Sequence, residues 1–588
     1  MSLLRPDLAN IRPYVRPASE ADGTGKARLH MNEAAGDWPA EARKALLDRL
    51  AAMPFHVYPE RQAEITERLR LRLGAPEGGL MLGPSSGNIL DLIALAGLSP
   101  GDGVAYPDPG FSLYPLIITR NRGRAVKVPV GMGFPLEPWF KALEEGVRQM
   151  WITLPNNPTG AWIRPQELEP LLKASTELTD PPLMVIDEAY AEFAPFTFRL
   201  FVDRYPNVIL LRTFSKALAS AGWRLGYLLG DPELVGRIAA LHLPYSIPAA
   251  SLEALDVALD FAGAFDRDIR ATSRRRDRLA VSLGDYQAPP SRSNFLYITP
   301  DPGPAMAKEN LMVRAFNGIS AARVSMGSED EIRRAAASLG GALPEDRPEP
   351  VRRLLVLDVD GVMIDAEASF AEAVSRAIAE MVPGQAWSLE HFRAFKRVGG
   401  FNNDFRLTAG AVALAERAEM ERLWDSEGKG FPDLEARIQE LEPRCKEVVQ
   451  RHYAITKALE APLVSHDELD ALGWDVAIYT GRPPEELLLA EEVLGFQLPA
   501  VCDFAPHLRK PLPGGLLQLA DTFRSQEVVF VGDTRDDNAS LQAARRERPE
   551  IAWTFAAVGP ECERIAVEGD LQAESLRSLL PLLARRSS

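Results

Sequence analysis

Twice along this chain, short apolar runs end abruptly in small or polar residues and give way to long helical patterns. Trp151–Leu154, Leu183–Ile186 and Val208–Leu211 do so in the first half, and Leu354–Leu357, Val476–Tyr479 and Val528–Val531 in the second. Strand and helix in alternation predict a mostly parallel sheet covered on both faces, here twice over. Between the two sets lies GGALPEDRPEPVR, residues 340–352, where Gly, Pro and Glu crowd out both periodicities. The expectation is an α/β protein with one domain over 1–340, a linker over 341–352 and a second domain over 353–588. A length of 588 residues agrees, being too great for one core. In such sheets chemistry sits at the carboxyl ends of strands, so the residues just after each apolar run are the candidates.

Composition removes several classes. The chain is 46% hydrophobic and 25% charged, which excludes a largely disordered or low-complexity protein. Its formal net charge of −16 argues against a general affinity for nucleic acid or anionic membrane. The three cysteines, Cys445, Cys502 and Cys562, form no CxxC or Cys/His cluster, so neither a disulfide framework nor a zinc site is expected. The N-terminus lacks the apolar core of a signal peptide, and no apolar run reaches the roughly 18–20 residues of a membrane span. A soluble cytoplasmic protein is expected.

In the first half, TFSKALASAGWRLGY follows a strand and sets Lys216 eight residues before Arg224. That spacing suits a lysine forming a Schiff base and an arginine holding phosphate. Asp187, ending MVID, can pair with a protonated pyridine nitrogen and keep such a ring an electron sink, with Tyr190 three residues on. Asn157 in LPNNPTG can bond a ring hydroxyl. GPSSGN, opening the helix Ile89–Leu98, is a small-residue loop at a helix N-terminus and a ready anion site. Phe111 in PDPGFSLY is placed to stack on the ring.

With these motifs in this order, residues 1 to about 340 resemble a fold-type I aminotransferase dependent on pyridoxal 5'-phosphate, and specifically the histidinol-phosphate aminotransferase family. IRPYV near the start, LHMNE at 29–33, VYPE at 57–60, SNFLYI at 293–298, LMVRAF at 311–316 and ARVSMG at 322–327 extend the likeness. The family's fold is a large parallel-sheet domain with a small α/β domain. The resemblance implies Lys216 as the Schiff-base lysine and Asp187 as partner of the ring nitrogen, with Asn157 and Tyr190 at the ring hydroxyl. Ser86, Gly87, Ser215 and Arg224 would take the cofactor phosphate, with Tyr58 reaching it from the other subunit of a homodimer. Arg314 and Arg323 fall at positions gripping substrate phosphate and carboxylate, and Tyr14 and Asn32 at further substrate contacts. The chain departs from the family at Ser86-Gly87-Asn88, where an acidic pair usually follows the serine.

The second half opens with LLVLDVDGVMID, an apolar strand ending in Asp358 and Asp360. Strand alternation predicts both carboxylates on one side, one to attack phosphorus and one to protonate the leaving oxygen. Thr480 ends DVAIYT, Lys510 precedes a helix in RKPLPGG, and VVFVGDTRDD supplies Asp533 and Asp537. A hydroxyl, a cation and metal-binding acids around one nucleophile are what phosphoryl transfer requires. These four motifs in sequence order resemble the haloacid dehalogenase superfamily of phosphatases. The resemblance implies a HAD-like Rossmannoid domain in which Asp358 forms an aspartyl-phosphate and Asp360 is acid and base. Thr480 and Lys510 would orient the phosphoryl group. Mg2+ would sit on Asp358, the Asp360 carbonyl and Asp533, with Asp537 in support. The helical stretch over 366–474 looks like a cap inserted between motifs; within it KRVGGFNNDF, 396–405, reads either as a loop between cap helices or as a substrate-reading loop.

Joining a near-equilibrium transamination to an effectively one-way ester hydrolysis would pull the first reaction forward. The two resemblances together imply transamination of imidazole-acetol phosphate with glutamate to histidinol phosphate, then hydrolysis to histidinol. Two alternatives stand beside this: the same chemistry on another phosphorylated amino compound, or one half serving as a silent scaffold or regulatory module.

Overall fold

The computed structural model describes residues 26–586, apart from 317, 399, 402, 427–428 and 503–504. The chain divides into two compact units that meet in sequence between Pro350 and Val351, with the short stretch Asp521–Arg524 grouped with the first.

The first unit is built on a seven-stranded sheet. Its order is Leu80–Gly83, Gly226–Leu229, Val208–Thr213, Leu183–Asp187, Gln149–Thr153, Gly103–Asp108 and Arg124–Pro129. All neighbours run parallel except Gly226–Leu229, which is antiparallel to both of its partners. The central strands are buried along nearly their whole length because both faces are covered. Ile152, Ile186 and Leu210 join one apolar layer, while Trp151, Val185 and Ile209, one residue earlier, join the other. A second sheet of the same unit has the order Ala27–Leu29, Leu311–Phe316, Ile319–Ser325 and Phe295–Ile298.

The second unit has a six-stranded parallel sheet ordered Ala500–Val501, Asp475–Tyr479, Arg353–Leu357, Glu527–Gly532, Ala552–Val558 and Leu571–Ala573. The first strand in sequence therefore lies at the centre, flanked by those that carry the later motifs. A helical insertion leaves and rejoins this sheet through two short strands, Ile364–Asp365 and Ala461–Pro462, paired antiparallel. Its main helices are Glu367–Met381, Leu389–Val398, Asp404–Glu416 and Glu435–Thr456. Phe395, Leu414, Ile438 and Val449 pack in one continuous apolar cluster with Leu357 and Val531 of the sheet.

Among the described residues, no helix is long and apolar enough to cross a membrane.

Candidate active sites

In the first unit, the ends of the parallel strands converge on Asp187. This carboxylate is buried; it accepts the Tyr114 hydroxyl at 2.7 Å and the Ala189 N–H at 3.1 Å. Burial raises its pKa above the ordinary carboxylate value, and these two hydrogen bonds offset only part of that. Its surroundings provide dipoles but no ion pair among the described residues, so a cationic ring nitrogen fits the place. Tyr114 also shares a 2.6 Å hydrogen bond with Thr153.

Around it the polar residues form one network. The Tyr190 hydroxyl accepts amide hydrogens from Asn32 at 2.9 Å and Asn157 at 3.3 Å. Arg323 donates to the Asn157 carbonyl at 2.7 Å and to the backbone oxygen of His30 at 2.9 Å. Asn32 holds a left-handed backbone, φ 53°, and Ser325 fastens it there, donating to its Oδ1 at 2.8 Å and accepting its N–H at 2.9 Å. Lys216 lies beside this network, its Nζ donating to the Met31 carbonyl at 3.3 Å, in the wall of a cavity of about 360 Å3 shared with Asn294 and Phe193. Burial, with Arg323 adding, lowers the Lys216 pKa to about 8.

The small-residue loop begins its helix earlier than the sequence predicts, at Ser86 rather than Ile89. Ser85 caps it, its hydroxyl accepting the Asn88 N–H at 3.3 Å. Gly226 lets the loop come close, because a Cβ there would meet the Ser86 nitrogen at 2.6 Å. Since Gly226 pairs with Thr213, the helix N-terminus is brought to the strand end that carries Ser215, whose Oγ accepts the Thr213 hydroxyl at 3.1 Å. Beyond Gly87 there is open space, a Cβ meeting only the Ser85 hydroxyl at 3.9 Å. Backbone N–H groups at a helix start, with nearby hydroxyls, suit a cofactor phosphate.

Other predicted residues differ in setting. Arg314 and Arg323 face each other across antiparallel strands. Like charges so placed disfavour the pairing until an anion lies between them. Burial lowers the pKa of nearby His30, and Arg28, Arg314 and Arg323 add to the effect against Glu33. Phe111 packs edge-on against Tyr114 with ring centroids 5.4 Å apart. Arg224 is exposed and has a left-handed backbone. Tyr58 is 70% exposed and stacks on Tyr245 at 4.4 Å. Tyr14 lies outside the described residues.

In the second unit the predicted alternation of Asp358 and Asp360 has no strand to act on. The strand closes at Leu357, and both acids lie in the turn that follows. Asp358 is buried, whereas the Asp360 side chain is 39% exposed and turned to Arg482. Gly361, at φ 73°, makes the turn possible: a Cβ there would meet Asp533 Oδ2 at 2.2 Å.

Asp358, Asp533 and Asp537 each offer an oxygen, and these oxygens lie within 4.8 Å of one another. Lys510 reaches into the same place, 2.9 Å from Asp358 and 2.6 Å from Asp537. Burial is the main force raising the Asp358 pKa to about 7, and Asp537 and Asp360 add to it while Lys510 opposes. Asp533 is pushed well above its ordinary value, again chiefly by burial, then by Asp358 and Asp537. Three carboxylates, when ionised, outnumber one ammonium in a largely buried site, and a divalent cation offsets the surplus. Asp537 also serves the local fold, since its Oδ2 accepts the Thr534 hydroxyl at 2.6 Å and closes the cap of the helix Arg535–Glu547. Thr480 is buried at its strand end, its Oγ accepting the Arg482 N–H at 3.2 Å.

From the insertion, Lys396 and Asp404 form a 2.8 Å ion pair. Burial alone would lower the Lys396 pKa; Asp404, Asp360 and Asp533 together hold it above its ordinary value. Lys396 thus lies within electrostatic reach of Asp360 and Asp533.

These two constellations have counterparts in known proteins. The chain belongs to the aminotransferase class I and II family, whose model matches residues 24–339, and the model of the haloacid dehalogenase-like hydrolases matches residues 353–545. It thus joins, in one polypeptide, an aminotransferase class I and II domain and a segment similar to haloacid dehalogenase-like hydrolases. Similar proteins include the histidinol-phosphate aminotransferase of Symbiobacterium thermophilum, 30% identical over 59% of this chain and 100% of that one. An aromatic amino acid aminotransferase of Mycobacteroides abscessus is 31% identical over 56% of this chain and 95% of the relative. Among solved structures, histidinol-phosphate aminotransferase from Sinorhizobium meliloti in complex with pyridoxal-5'-phosphate shares the fold, with a TM-score of 0.53, 23% identity, and coverage of 58% of this chain and 97% of that one.

Proposed function

We propose that the protein converts imidazole-acetol phosphate and glutamate to histidinol phosphate and 2-oxoglutarate in its first domain, 1–340, and hydrolyses histidinol phosphate to histidinol in its second, 353–588. The observation that carries this is the fusion itself: a unit similar to histidinol-phosphate aminotransferases shares a chain with an Asp358–Asp533–Asp537–Lys510 phosphoryl-transfer centre.

Bound pyridoxal phosphate would supply an electron sink for the substrate's α-carbon. Lys216 would hold the cofactor and, with its amine near neutrality, move the proton between the α-carbon and the cofactor. Asp187, oriented by Tyr114, would keep the ring nitrogen protonated. Asn157 and Tyr190 would hold the ring hydroxyl, Ser86, Gly87, Ser215 and Arg224 the phosphate, and Phe111 the ring face. Arg314 and Arg323 would grip substrate phosphate and carboxylate beside Asn32 and Tyr14. A second copy would bring Tyr58 to the site, so the active form is a homodimer.

In the second domain Asp358 would attack phosphorus while the ester P–O bond breaks and Asp360 gives its proton to the leaving oxygen. Water would then attack the aspartyl-phosphate, returning a proton to Asp360 and freeing phosphate. Lys510 and Thr480 would orient the phosphoryl oxygens, with Mg2+ held by Asp358, Asp533 and the Asp360 carbonyl, and Asp537 in support. The insertion, 366–474, would act as a cap, with 396–405 reading the substrate. Three unbonded cysteines fit the reducing cytoplasm.

The test supplies imidazole-acetol phosphate and glutamate and follows 2-oxoglutarate and phosphate together. Stoichiometric release of both supports the assignment. Turnover of phenylpyruvate with no reaction of the phosphorylated ketone would move the first domain to aromatic substrates. Phosphate release from other amino-phosphate esters alone would keep the chemistry and remove the pathway.

A further inference from the structure

One buried cation in the second unit is not used by the mechanism above. Arg482 follows Thr480 by two residues, and its side chain is 2% exposed. Its Nε donates to both oxygens of Asp360, at 3.1 and 3.2 Å, and its Nη2 to Oδ1 at 2.6 Å. The other side of the fork serves the insertion. Nη2 reaches Glu460 Oε1 at 3.1 Å, and Nη1 reaches the Tyr453 hydroxyl at 2.9 Å and the Glu486 backbone oxygen at 3.4 Å.

Glu460 gathers the rest. It directly precedes the return strand Ala461–Pro462, its side chain is fully buried, and its Oε1 also accepts the hydroxyls of Tyr453 at 2.7 Å and Ser369 at 2.9 Å. Phe370 lies flat on Tyr453 with centroids 4.6 Å apart, and the Arg482 guanidinium stands 5.1 Å from the Phe370 ring. Ser369 and Phe370 belong to the insertion's first helix, Tyr453 to its last long one. Both crossings into the insertion thus end on the guanidinium that grips Asp360.

We propose that Arg482 is a positioning residue for phosphoryl transfer: it fixes the acid/base Asp360 and, through Glu460, makes that placement depend on the hinge of the insertion. The proposal rests on Asp360 acting as acid and base. A fork gripping both carboxylate oxygens fixes direction as well as charge, which an ammonium in its place does not. Asp360 is more exposed than Asp358, and the guanidinium adds a constraint on its carboxylate. Arg482 acts through Asp360, and Glu460 acts through Arg482.

Leaving-group dependence tests this. Full-length parent, Arg482→Lys and Glu460→Gln are compared by kcat/KM on 4-nitrophenyl phosphate and on an alkyl amino-phosphate ester. The quantity kcat/KM reports formation of the aspartyl-phosphate, where only the alkyl ester needs a proton delivered to its leaving oxygen. For Arg482→Lys we expect a fall of about 10²-fold on the alkyl ester and less than about threefold on the aryl ester. Glu460→Gln, near-isosteric and remote from phosphorus, should show the same selectivity at smaller amplitude, and it serves if Arg482→Lys does not fold. Equal losses on both esters, or none, would overturn the proposal. If Asp358→Asn still releases phosphate at the parent rate, the proposed chemistry falls and takes this inference with it; normal dependence on Asp358 with no leaving-group selectivity removes the inference alone.

Discussion

Two lysines sit at the two sites, and their surroundings drive them in opposite directions. Lys216 and Lys510 both lose hydration, which favours the neutral amine in each. Around Lys216 the strongest charge is Arg323, and the pKa falls to about 8. Around Lys510 stand Asp358 and Asp537, and the pKa rises above the ordinary lysine value despite burial. Burial sets the cost of the charge, while the sign of the neighbours decides whether it is kept. An amine near neutrality can bond a carbonyl and move protons; a locked ammonium can only stabilise anions. The same residue type is thus suited to covalent chemistry in one unit and to electrostatics in the other. The contrast extends to what each site lacks: the first is rich in cations and calls for an anionic ligand, the second is rich in carboxylates and calls for a metal ion.

The largest effects should come from removing one centre at a time. Lys216→Ala should abolish the visible cofactor band and transamination while phosphate release continues, and Asp358→Asn should do the reverse. Absorbance and phosphate assays on the same preparations decide this, and parallel loss of both activities in either variant would break the separation. Chelation comes next. Stripping divalent ions should stop phosphate release and leave transamination intact, with recovery on adding Mg2+. Lys510→Gln should lower phosphate release by about 10²–10³-fold, the scale for losing one preorganised charge at a transition state.

A smaller effect concerns pH. Neutral amine is the form of Lys216 that reacts with the cofactor aldehyde. Capture of pyridoxal phosphate by cofactor-free protein should therefore rise with pH through about 8 and level off above it. Arg323→Gln removes a cationic neighbour and should move the midpoint upward; stopped-flow absorbance reads both. A midpoint near that of free lysine would show that the lowered pKa is absent. Least of all, Tyr114→Phe takes one hydrogen bond from buried Asp187 and should cost about 1–3 kcal/mol in a denaturant titration of the first unit's unfolding.

What could be read from sequence follows physical range. Asp187, Lys216, Asp533 and Thr480 stand at or just beyond apolar runs, so a local rule finds them. Tyr114 and Arg482 escaped it. Tyr114 stands three residues beyond Phe111, inside GFSLYP, and its partner Asp187 is set by strand pairing far along the chain. Arg482 stood in plain view in YTGR, but its partners Asp360, Tyr453 and Glu460 come from three other segments. Ser325 was visible in ARVSMG, yet its bond to Asn32 depends on how the second sheet forms. The placing of Asp358 and Asp360 is likewise not set by strand alternation. Period two holds only inside a strand, and this one ends before either acid.

The paired strands Ile364–Asp365 and Ala461–Pro462 have one more consequence. Because the insertion departs and returns side by side, the parallel sheet experiences everything between those strands as a loop of fixed span. Closing such a loop grows costlier only with the logarithm of its length, roughly 0.6 kcal/mol per doubling. Its length can therefore vary at small entropic cost to the sheet that holds Asp358 and Asp533, so long as the packing of Phe395, Leu414, Ile438 and Val449 on that sheet and the Glu460–Arg482 contact are kept. Under the proposed function, variation within those limits would change which ester is admitted while Asp358 and Asp533 stay in place.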